Sequence, residues 1–147
     1  MATHIAKIRW LKTSDFSHEG FDRRHDIAFQ DAVSLPAGGA GNDFGADPEQ
    51  LLAAAMASCH MQTFLVLASK KRLQVASYSD DAEAILAQRE DGKYWVEKII
   101  LKPRVEFCGD KIPDADTVQA MHEKSHAHCF IANSVAAAMT VEVQYQS

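Results

Sequence analysis

Residues 47–71, DPEQLLAAAMASCHMQTFLVLASKK, carry the longest helical signal in the chain. At the start of this segment Asp47 can cap a helix, Pro48 suits the first helical position, and Glu49 favours the positive end of the helix dipole. Apolar residues then recur three and four positions apart, and lysines close the segment. The pattern predicts a helix from Pro48 to Lys71, around which the remainder of the chain is organised.

Two cysteines lie where apolar and polar residues meet. Cys59 falls near the middle of the predicted helix, and Cys129 belongs to residues 122–135, HEKSHAHCFIANSV. A free cysteine is most often a small buried hydrophobe, and for Cys59 taken alone we favour that interpretation. The second cysteine is what raises the question of chemistry.

The composition predicts one compact domain over residues 1–147. Of the 147 residues, 47% are hydrophobic and 24% are charged, which allows a substantial core. The net charge is −5 and no run of basic residues occurs, which argues against a nucleic-acid surface. The longest apolar stretch, residues 51–67, is interrupted by polar residues and lies mid-chain, so we expect neither a membrane span nor a signal peptide.

The use of cysteine favours a reducing compartment. Three cysteines without a recognised secretion signal indicate the cytoplasm, where a disulfide would be transient and catalytic. No pair has the CxxC spacing of a zinc ribbon or a thioredoxin site. A redox pair would therefore have to be assembled by the fold.

Alternating sequence predicts strands on both sides of the long helix. In the first strand Ala6, Ile8 and Trp10 would face the core, and a hairpin after the helix would turn at residues 89–92. The order of the elements is α+β, with antiparallel sheets packed on the long cysteine-bearing helix. The other predicted elements are strands over residues 3–12, 24–29, 32–35, 75–87, 93–108 and 137–146, and helices over residues 114–126 and 129–135.

Residues 36–45, PAGGAGNDFG, hold four of the seven glycines and predict a loop. We reject a phosphate cradle, because no GKS or GKT follows and the glycines do not lie between a strand and a helix in the dinucleotide pattern. We expect the loop to pass over the mouth of a site at the start of the long helix.

Cys129 has sequence neighbours that could favour its thiolate. A thiol becomes a nucleophile near a helix N-terminus, a cation or a base. His126 and His128 precede Cys129. The free N–H groups of the short helix that it opens would also point toward it.

Cys59 lies in the middle of a helix and needs a cation from elsewhere. Arg23 or Arg24 is suitable, because arginine stays charged and can bridge a thiolate and a carboxylate. Glu49 is the carboxylate that could hold this arginine. Glu49 and Cys59 are ten residues apart, about 15 Å along a helix, so long side chains or a second subunit must bridge them.

These segments resemble the OsmC/Ohr family of thiol peroxidases. Residues 47–59, DPEQLLAAAMASC, are similar to a family block in which the first cysteine follows a glutamate by ten residues. Residues 129–135, CFIANSV, are similar to a second cysteine that opens a short helix before a final strand. Residues 21–25, FDRRH, resemble the arginine-bearing segment of one branch. They depart from the best-studied branches, in which glycine or a small polar residue follows the arginine.

The resemblance implies an intertwined homodimer with two active sites at its interface. Cys59 would reduce an organic hydroperoxide, or more weakly hydrogen peroxide, and become a sulfenic acid. Cys129 would resolve it as a disulfide, which an external dithiol of lipoyl type would reduce without any other cofactor. Arg23, or Arg24 as second choice, would stabilise the thiolate, and Glu49 would orient the arginine.

An apolar pocket would suit the alkyl chain of such a substrate. Each of its candidate residues is equally suited to a plain core position. The candidates are Arg24, Phe44, Met56, Met61, Phe64 and Phe130.

Two other interpretations compete with the peroxidase. His122 and His126 are one helical turn apart and precede His128 and Cys129, which could together supply ligands to zinc. Solvated or capping histidines are the commoner outcome, so we expect no metal. The other alternative is a module that holds a small hydrophobic molecule without turnover, in which mutation of either cysteine would change nothing.

Overall fold

The computed structural model describes residues 1–145 and has an α+β fold, as predicted. The chain divides into two compact units, residues 1–51 and the residues from 52 onward, and the single domain over 1–147 stays a prediction. The elements in chain order are β1 (Lys7–Arg9), β2 (His25–Gln30), β3 (Val33–Ala37), α1 (Pro48–Lys70), β4 (Gln74–Asp80), β5 (Glu83–Gln88), β6 (Tyr94–Leu101), β7 (Pro103–Cys108), α2 (Ala115–His128), a 3₁₀ turn (Ala132–Ser134) and β8 (Ala138–Val141).

The first unit contains the predicted antiparallel meander, in the order β1-β2-β3. The prediction that Ala6, Ile8 and Trp10 face the core is wrong: Ala6 is exposed, and Ile8 and Trp10 are 64% and 38% exposed. The reason is that β1 has only three residues at the edge of its sheet. Trp10 packs instead against the rings of Phe16 and Phe21, whose centroids lie 5.7 and 6.4 Å away.

The glycine-rich segment is a loop that folds back on the end of β3. The Ala46 N–H donates to the Pro36 carbonyl (3.1 Å), and the Gly38 N–H donates to the Ala46 carbonyl (3.0 Å). A Cβ atom on Gly45 would lie 2.3 Å from the Pro36 oxygen, so this close backbone approach requires glycine. The loop thereby delivers the chain to the start of α1.

Helix α1 has the predicted start and ends one residue before the predicted Lys71. Asp47 and Gln50 cap it reciprocally: the Gln50 N–H donates to Asp47 Oδ1 (2.7 Å), and the Asp47 N–H donates to Gln50 Oε1 (3.0 Å). Arg72, with φ of 59°, turns the chain out of the helix. The buried row of the helix is Ala53, Met56, His60, Phe64 and Ala68.

By length and composition α1 could cross a membrane. This is weak evidence, because the core helix of a globular protein meets the same test. The row of buried residues on α1 is what a core helix requires.

The predicted hairpin is present, but each of its long strands is broken in two. Strand β4 pairs with β7, whereas β5 pairs with β6 in a different sheet. At the break, the Lys102 N–H donates to Asp80 Oδ1 (2.7 Å) instead of continuing the ladder. The turn falls where predicted, with the Arg89 N–H donating to the Lys93 carbonyl (2.8 Å) and Gly92 at φ of 83°.

The C-terminal elements differ from the prediction in length. Asp114 caps α2, and the helix continues to His128, two residues beyond the predicted end. Cys129 is therefore the C-cap of α2 and does not open a helix; only one 3₁₀ turn follows it. Strand β8 is shorter than the predicted strand and pairs in parallel with β6, while the last residue of that prediction, Gln146, lies outside the described residues.

The second unit holds two hydrophobic clusters. In the first, Phe64 and Ala68 of α1 meet Val118 and Met121 of α2. In the second, Met56 of α1 meets Ile99 and Leu101 of β6 together with Cys129. Successive turns of α1 therefore contribute to different clusters.

Candidate functional site

The second cluster brings the two sequence-predicted cysteines together. Cys59, one turn after Met56 on α1, packs against this cluster and is half-buried. Cys129 is fully buried in it. Both are free thiols. The third cysteine, Cys108, is exposed at the end of β7.

The surroundings of Cys59 favour its thiolate. Burial by itself raises the pKa of this thiol. Hydrogen bonds donated by the Ile131 N–H, the Cys129 thiol and the Phe130 N–H outweigh burial and bring the pKa of Cys59 below its ordinary value. The chain reversal after α2 thus aims two backbone N–H groups at a sulfur in the middle of another helix.

The surroundings of Cys129 disfavour its thiolate. Burial and the hydrogen bond that it gives to Cys59 raise the pKa of Cys129, although the Ala132 N–H donates to its Sγ (3.4 Å). Sequence reasoning assigned the backbone N–H groups of this segment to Cys129 and none to Cys59. In the structure the N–H groups of this segment serve both sulfurs, those of Ile131 and Phe130 acting on Cys59 and those of Ala132 and Ile131 acting on Cys129, which is the C-cap of α2.

Arg23, Arg24 and Glu49 belong to the first unit. The Arg23 guanidinium lies 4.6 Å from the centroid of Phe21, and that of Arg24 lies 4.1 Å from the centroid of Phe44. Among the described residues, no ion pair joins either arginine to Glu49. Cys59 belongs to the second unit, and the predicted roles of these three residues at Cys59 stay predictions.

Arg23 also borders an open apolar hollow of about 610 Å³ in the first unit. Its walls are mainly aromatic and aliphatic, so the Arg23 guanidinium is the charged group at the edge of an apolar surface. The lining residues are Ile8, Trp10, Phe16, Phe21, Arg23, His25, Gly38, Gly39 and Pro48.

The residues predicted to line a substrate pocket are divided between the two units, and the pocket stays a prediction. Met56 and Phe64 are fully buried in different clusters, which fits the core position that the sequence equally allows. Phe44 lies beneath Arg24, and Phe130 is 81% exposed. The spacing of apolar residues could not distinguish these environments.

The histidines predicted as alternative metal ligands are dispersed. His122 is fully buried, whereas His126 is exposed and His128 Nδ1 bonds to the Lys124 carbonyl (2.9 Å). Across residues 1–145, no three His, Cys, Asp or Glu side chains are grouped so that they could hold a metal ion.

Sequence reasoning missed a buried pair of histidines. His60 Nε2 lies 3.0 Å from His122 Nδ1, and neither residue has any exposed surface. Burial, followed by the nearby positive charge of His126, lowers the pKa of His60 to about 4. Burial, followed by His60, lowers the pKa of His122 to about 4. Both imidazoles are therefore neutral at pH 7.

Comparison with known proteins places this arrangement in a family. The family model described as OsmC-like protein matches residues 39–144. The structure is similar to an OsmC-like protein of unknown function from Vibrio cholerae, with a TM-score of 0.91, 33% identity, and coverage of 98% of this chain and 100% of the other. No curated protein matches.

Organic hydroperoxide resistance proteins share the fold at lower identity. OhrB of Bacillus subtilis has a TM-score of 0.69 and 17% identity, with 98% of each chain covered. The protein from Elizabethkingia anophelis has a TM-score of 0.71 and 18% identity, with 100% of this chain and 97% of that chain covered. The prediction from the DPEQ…C block and the second cysteine is confirmed, and the chain belongs to the OsmC-like protein family.

Proposed function

We propose that this protein is a thiol-dependent peroxidase that reduces organic hydroperoxides. The observation that carries the proposal is the opposite polarisation of two adjacent thiols, with the pKa of Cys59 lowered and that of Cys129 raised. Only the attacking thiol must be a thiolate when the peroxide arrives. The hydrogen bond to Cys59 and the Cys59 charge, which help to raise the Cys129 pKa, are lost once Cys59 is oxidised, so Cys129 can then give up its proton and resolve. The hydroperoxide resistance proteins with this fold support the same chemistry.

In the first step the Cys59 thiolate attacks the distal oxygen of the hydroperoxide ROOH. The O–O bond breaks, an S–O bond forms, and the alkoxide leaves and takes a proton to become the alcohol ROH. Cys59 is oxidised by two electrons to a sulfenic acid. The Phe130 and Ile131 N–H groups favour the thiolate and so raise the fraction of Cys59 that is able to attack.

In the second step Cys129 attacks the sulfur of the sulfenic acid. An S–S bond forms, the S–O bond breaks, and water leaves with the thiol proton. An external dithiol, for which a lipoyl-type reductant is our proposal, then reduces the disulfide in two exchange steps and becomes a disulfide itself. The reaction needs no other cofactor.

We place Arg23, with Arg24 as second choice, at the Cys59 thiolate in an intertwined homodimer, and Glu49 as the carboxylate that orients the arginine. What supports this role is an arginine without an ion-pair partner in the described chain, at the edge of an apolar hollow suited to an alkyl group. Residues 49 and 59 are about 15 Å apart along α1, which favours contribution from a second subunit. The proposed compartment is the cytoplasm, whose dithiol reductants would complete the cycle.

The test is mass spectrometry under non-reducing conditions, before and after one equivalent of an alkyl hydroperoxide. We expect a peptide that links Cys59 to Cys129 and one equivalent of alcohol. In Cys129→Ser, a dimedone-type probe should instead trap the sulfenic acid on Cys59. Cys108→Ser is the matched control and should behave as the wild type, because Cys108 is exposed and remote from the pair in sequence.

A Cys59 that stays a free thiol while the peroxide is unconsumed would refute the proposal. The apolar hollow would then favour the alternative, a module that binds a small hydrophobic molecule without turnover. Unchanged binding of such a molecule by Cys59→Ser would support that alternative.

A further inference from the structure

The buried histidine pair joins the two helices that carry the cysteines. His60 directly follows Cys59 on α1. His122 lies on α2, seven residues, or about two turns, before Cys129 at the end of that helix. The contact between His60 Nε2 and His122 Nδ1 (3.0 Å) is therefore a direct polar link between the supports of the two thiols.

The hydrogen bonding of this pair is confined to the pair itself. His60 Nδ1 and His122 Nε2 are buried without a hydrogen-bond partner in the part of the chain that the structure describes. Two neutral imidazoles share one proton in the bond between them, with one ring as donor and the other as acceptor in either tautomer. Each imidazole thus depends on the other for its protein hydrogen bond, and separation of the helices would leave both unpaired.

The aromatic rings around the histidine pair strengthen the dependence of each imidazole on the other. The ring of Phe64 stacks on His122 with centroids 4.3 Å apart, and the ring of Tyr78 lies 6.5 Å away. In such an apolar region a lost hydrogen bond is not replaced by water, so the geometry that retains it is favoured over slipped alternatives. A buried polar pair can favour one arrangement of two helices over others.

We propose that His60 and His122 are positioning residues that hold α1 against α2 so that Cys59 and Cys129 stay within disulfide-forming reach. The inference rests on the thiol pair of the proposed function. A disulfide forms only when the two Cα atoms lie about 4.4–6.8 Å apart. Slippage of one helix by a single residue moves its side chains by about 1.5 Å along the axis, which is enough to disturb this geometry.

The test is the equilibrium of the Cys59–Cys129 pair with glutathione, measured in a Cys108→Ser background by trapping the thiols and quantifying the linked peptide. Oxidised glutathione takes two electrons and two protons from the dithiol and gives the protein disulfide and two glutathione thiols. We expect His60→Leu and His122→Leu each to lower the oxidation equilibrium constant roughly three- to tenfold, the worth of one buried hydrogen bond.

Conservative variants separate positioning from bulk packing. His60→Gln can place a polar atom where Nε2 lies, and His122→Asn can do so at Nδ1, so both should restore the equilibrium constant toward the wild-type value. Val118→Ala is the matched control, because Val118 is buried on the same helix and its truncation destabilises the core without removing the histidine bond. Its equilibrium constant should equal that of the wild type.

Wild-type equilibrium constants in both leucine variants would overturn the proposal. So would a loss in Val118→Ala equal to theirs, or a failure of glutamine and asparagine to differ from leucine. The oxidant in this test is glutathione and not peroxide. A protein that forms its disulfide with glutathione but consumes no peroxide would refute the peroxidase. The variants would then still test whether the two histidines position the thiols. A wild type that forms no disulfide would overturn both.

Discussion

Two pairs of side chains connect α1 with α2 and its C-cap, and they differ in how the backbone treats them. The thiol pair, Cys59 and Cys129, receives N–H groups from residues 130–132, which polarise the two sulfurs in opposite directions. The imidazole pair, His60 and His122, receives no backbone donor among the described residues and is closed to solvent. The backbone N–H groups therefore give the two thiols different pKa values, which suits the thiol pair to catalysis. Without such donors both imidazoles stay neutral, which suits the imidazole pair to a structural role.

The asymmetry of the thiol pair predicts the largest effect. Cys59→Ser should lower peroxide turnover with a dithiol reductant at least a thousandfold, because the hydroxyl is not ionised at neutral pH. Cys129→Ser should still consume the first equivalent of peroxide in a single-turnover assay, since only the resolving step is lost. Equal loss of that first equivalent in both variants would mean that the two thiols are not differentiated.

Loss of the imidazole pair should lower the stability of the fold, whereas loss of the thiol pair should lower its activity. His122→Ala leaves His60 unpaired in an apolar region and opens a cavity, so we expect the free energy of unfolding to fall by about 4 kcal/mol. Denaturant unfolding at fixed protein concentration measures it. His60→Ala and the double variant complete a cycle that should give a coupling energy of about 1–2 kcal/mol.

His128→Ala is the control for that cycle. Its ring is exposed and bonds only to the Lys124 carbonyl of its own helix, so the change should stay within about 0.5 kcal/mol. A loss for His122→Ala no larger than this would show that the buried pair stabilises nothing.

The thiol pair could be predicted from sequence, whereas its polarisation could not. The spacing of the DPEQ…C block and the later cysteine identified both residues, and the caps and apolar spacing placed Cys59 on a helix. The direction of polarisation depends on whether Cys129 ends α2 or opens the next helix. This boundary was misplaced by two residues, because His126–His128 continue a helix without a sequence signal for its end.

The imidazole pair could not be predicted at all. His60 lies about 100° around the helix from Cys59, so the sequence gives no reason to assign it a role near the thiol. His60, between Cys59 and Met61, gives no local sign of burial, and its partner is 62 residues away in the sequence. Likewise, the alternating pattern of β1 cannot reveal that Ile8 is exposed, because the exposure depends on which other elements cover this short edge strand.

The low pKa values of the imidazole pair predict an acid-sensitive fold. His60 and His122 have pKa values of about 4 in the folded protein, against an ordinary 6.5. Between these values the unfolded chain binds more protons than the folded protein, so stability is complete above pH 6.5 and falls as the pH drops toward 4. We expect a loss of about 3 kcal/mol by pH 4 for each of the two histidines, because the unfolded chain binds a proton there and the folded protein does not.

Thermal unfolding measured as a function of pH tests whether stability falls as the pH drops. The double variant His60→Leu/His122→Leu should have a flatter profile over the same range, and His126→Gln should move the His60 transition slightly upward by removing a positive charge. A double variant that loses as much stability as the wild type would assign the acid sensitivity to other groups.

The smallest predicted effect comes from loss of the hydrogen bond that the Cys129 thiol gives to Cys59. Cys129→Ala removes one of three hydrogen bonds to Cys59 and leaves those from Ile131 and Phe130. Because the remaining backbone donors are part of the chain reversal after α2, the pKa of Cys59 should rise without losing its whole depression. Alkylation of Cys59 at neutral pH should therefore slow severalfold, with the rate recovering as pH is raised. Cys108→Ala is the control, since that thiol is exposed on β7. An unchanged rate in Cys129→Ala would mean that the backbone alone sets the reactivity of Cys59, and the resolving thiol would then be a partner in the second step only.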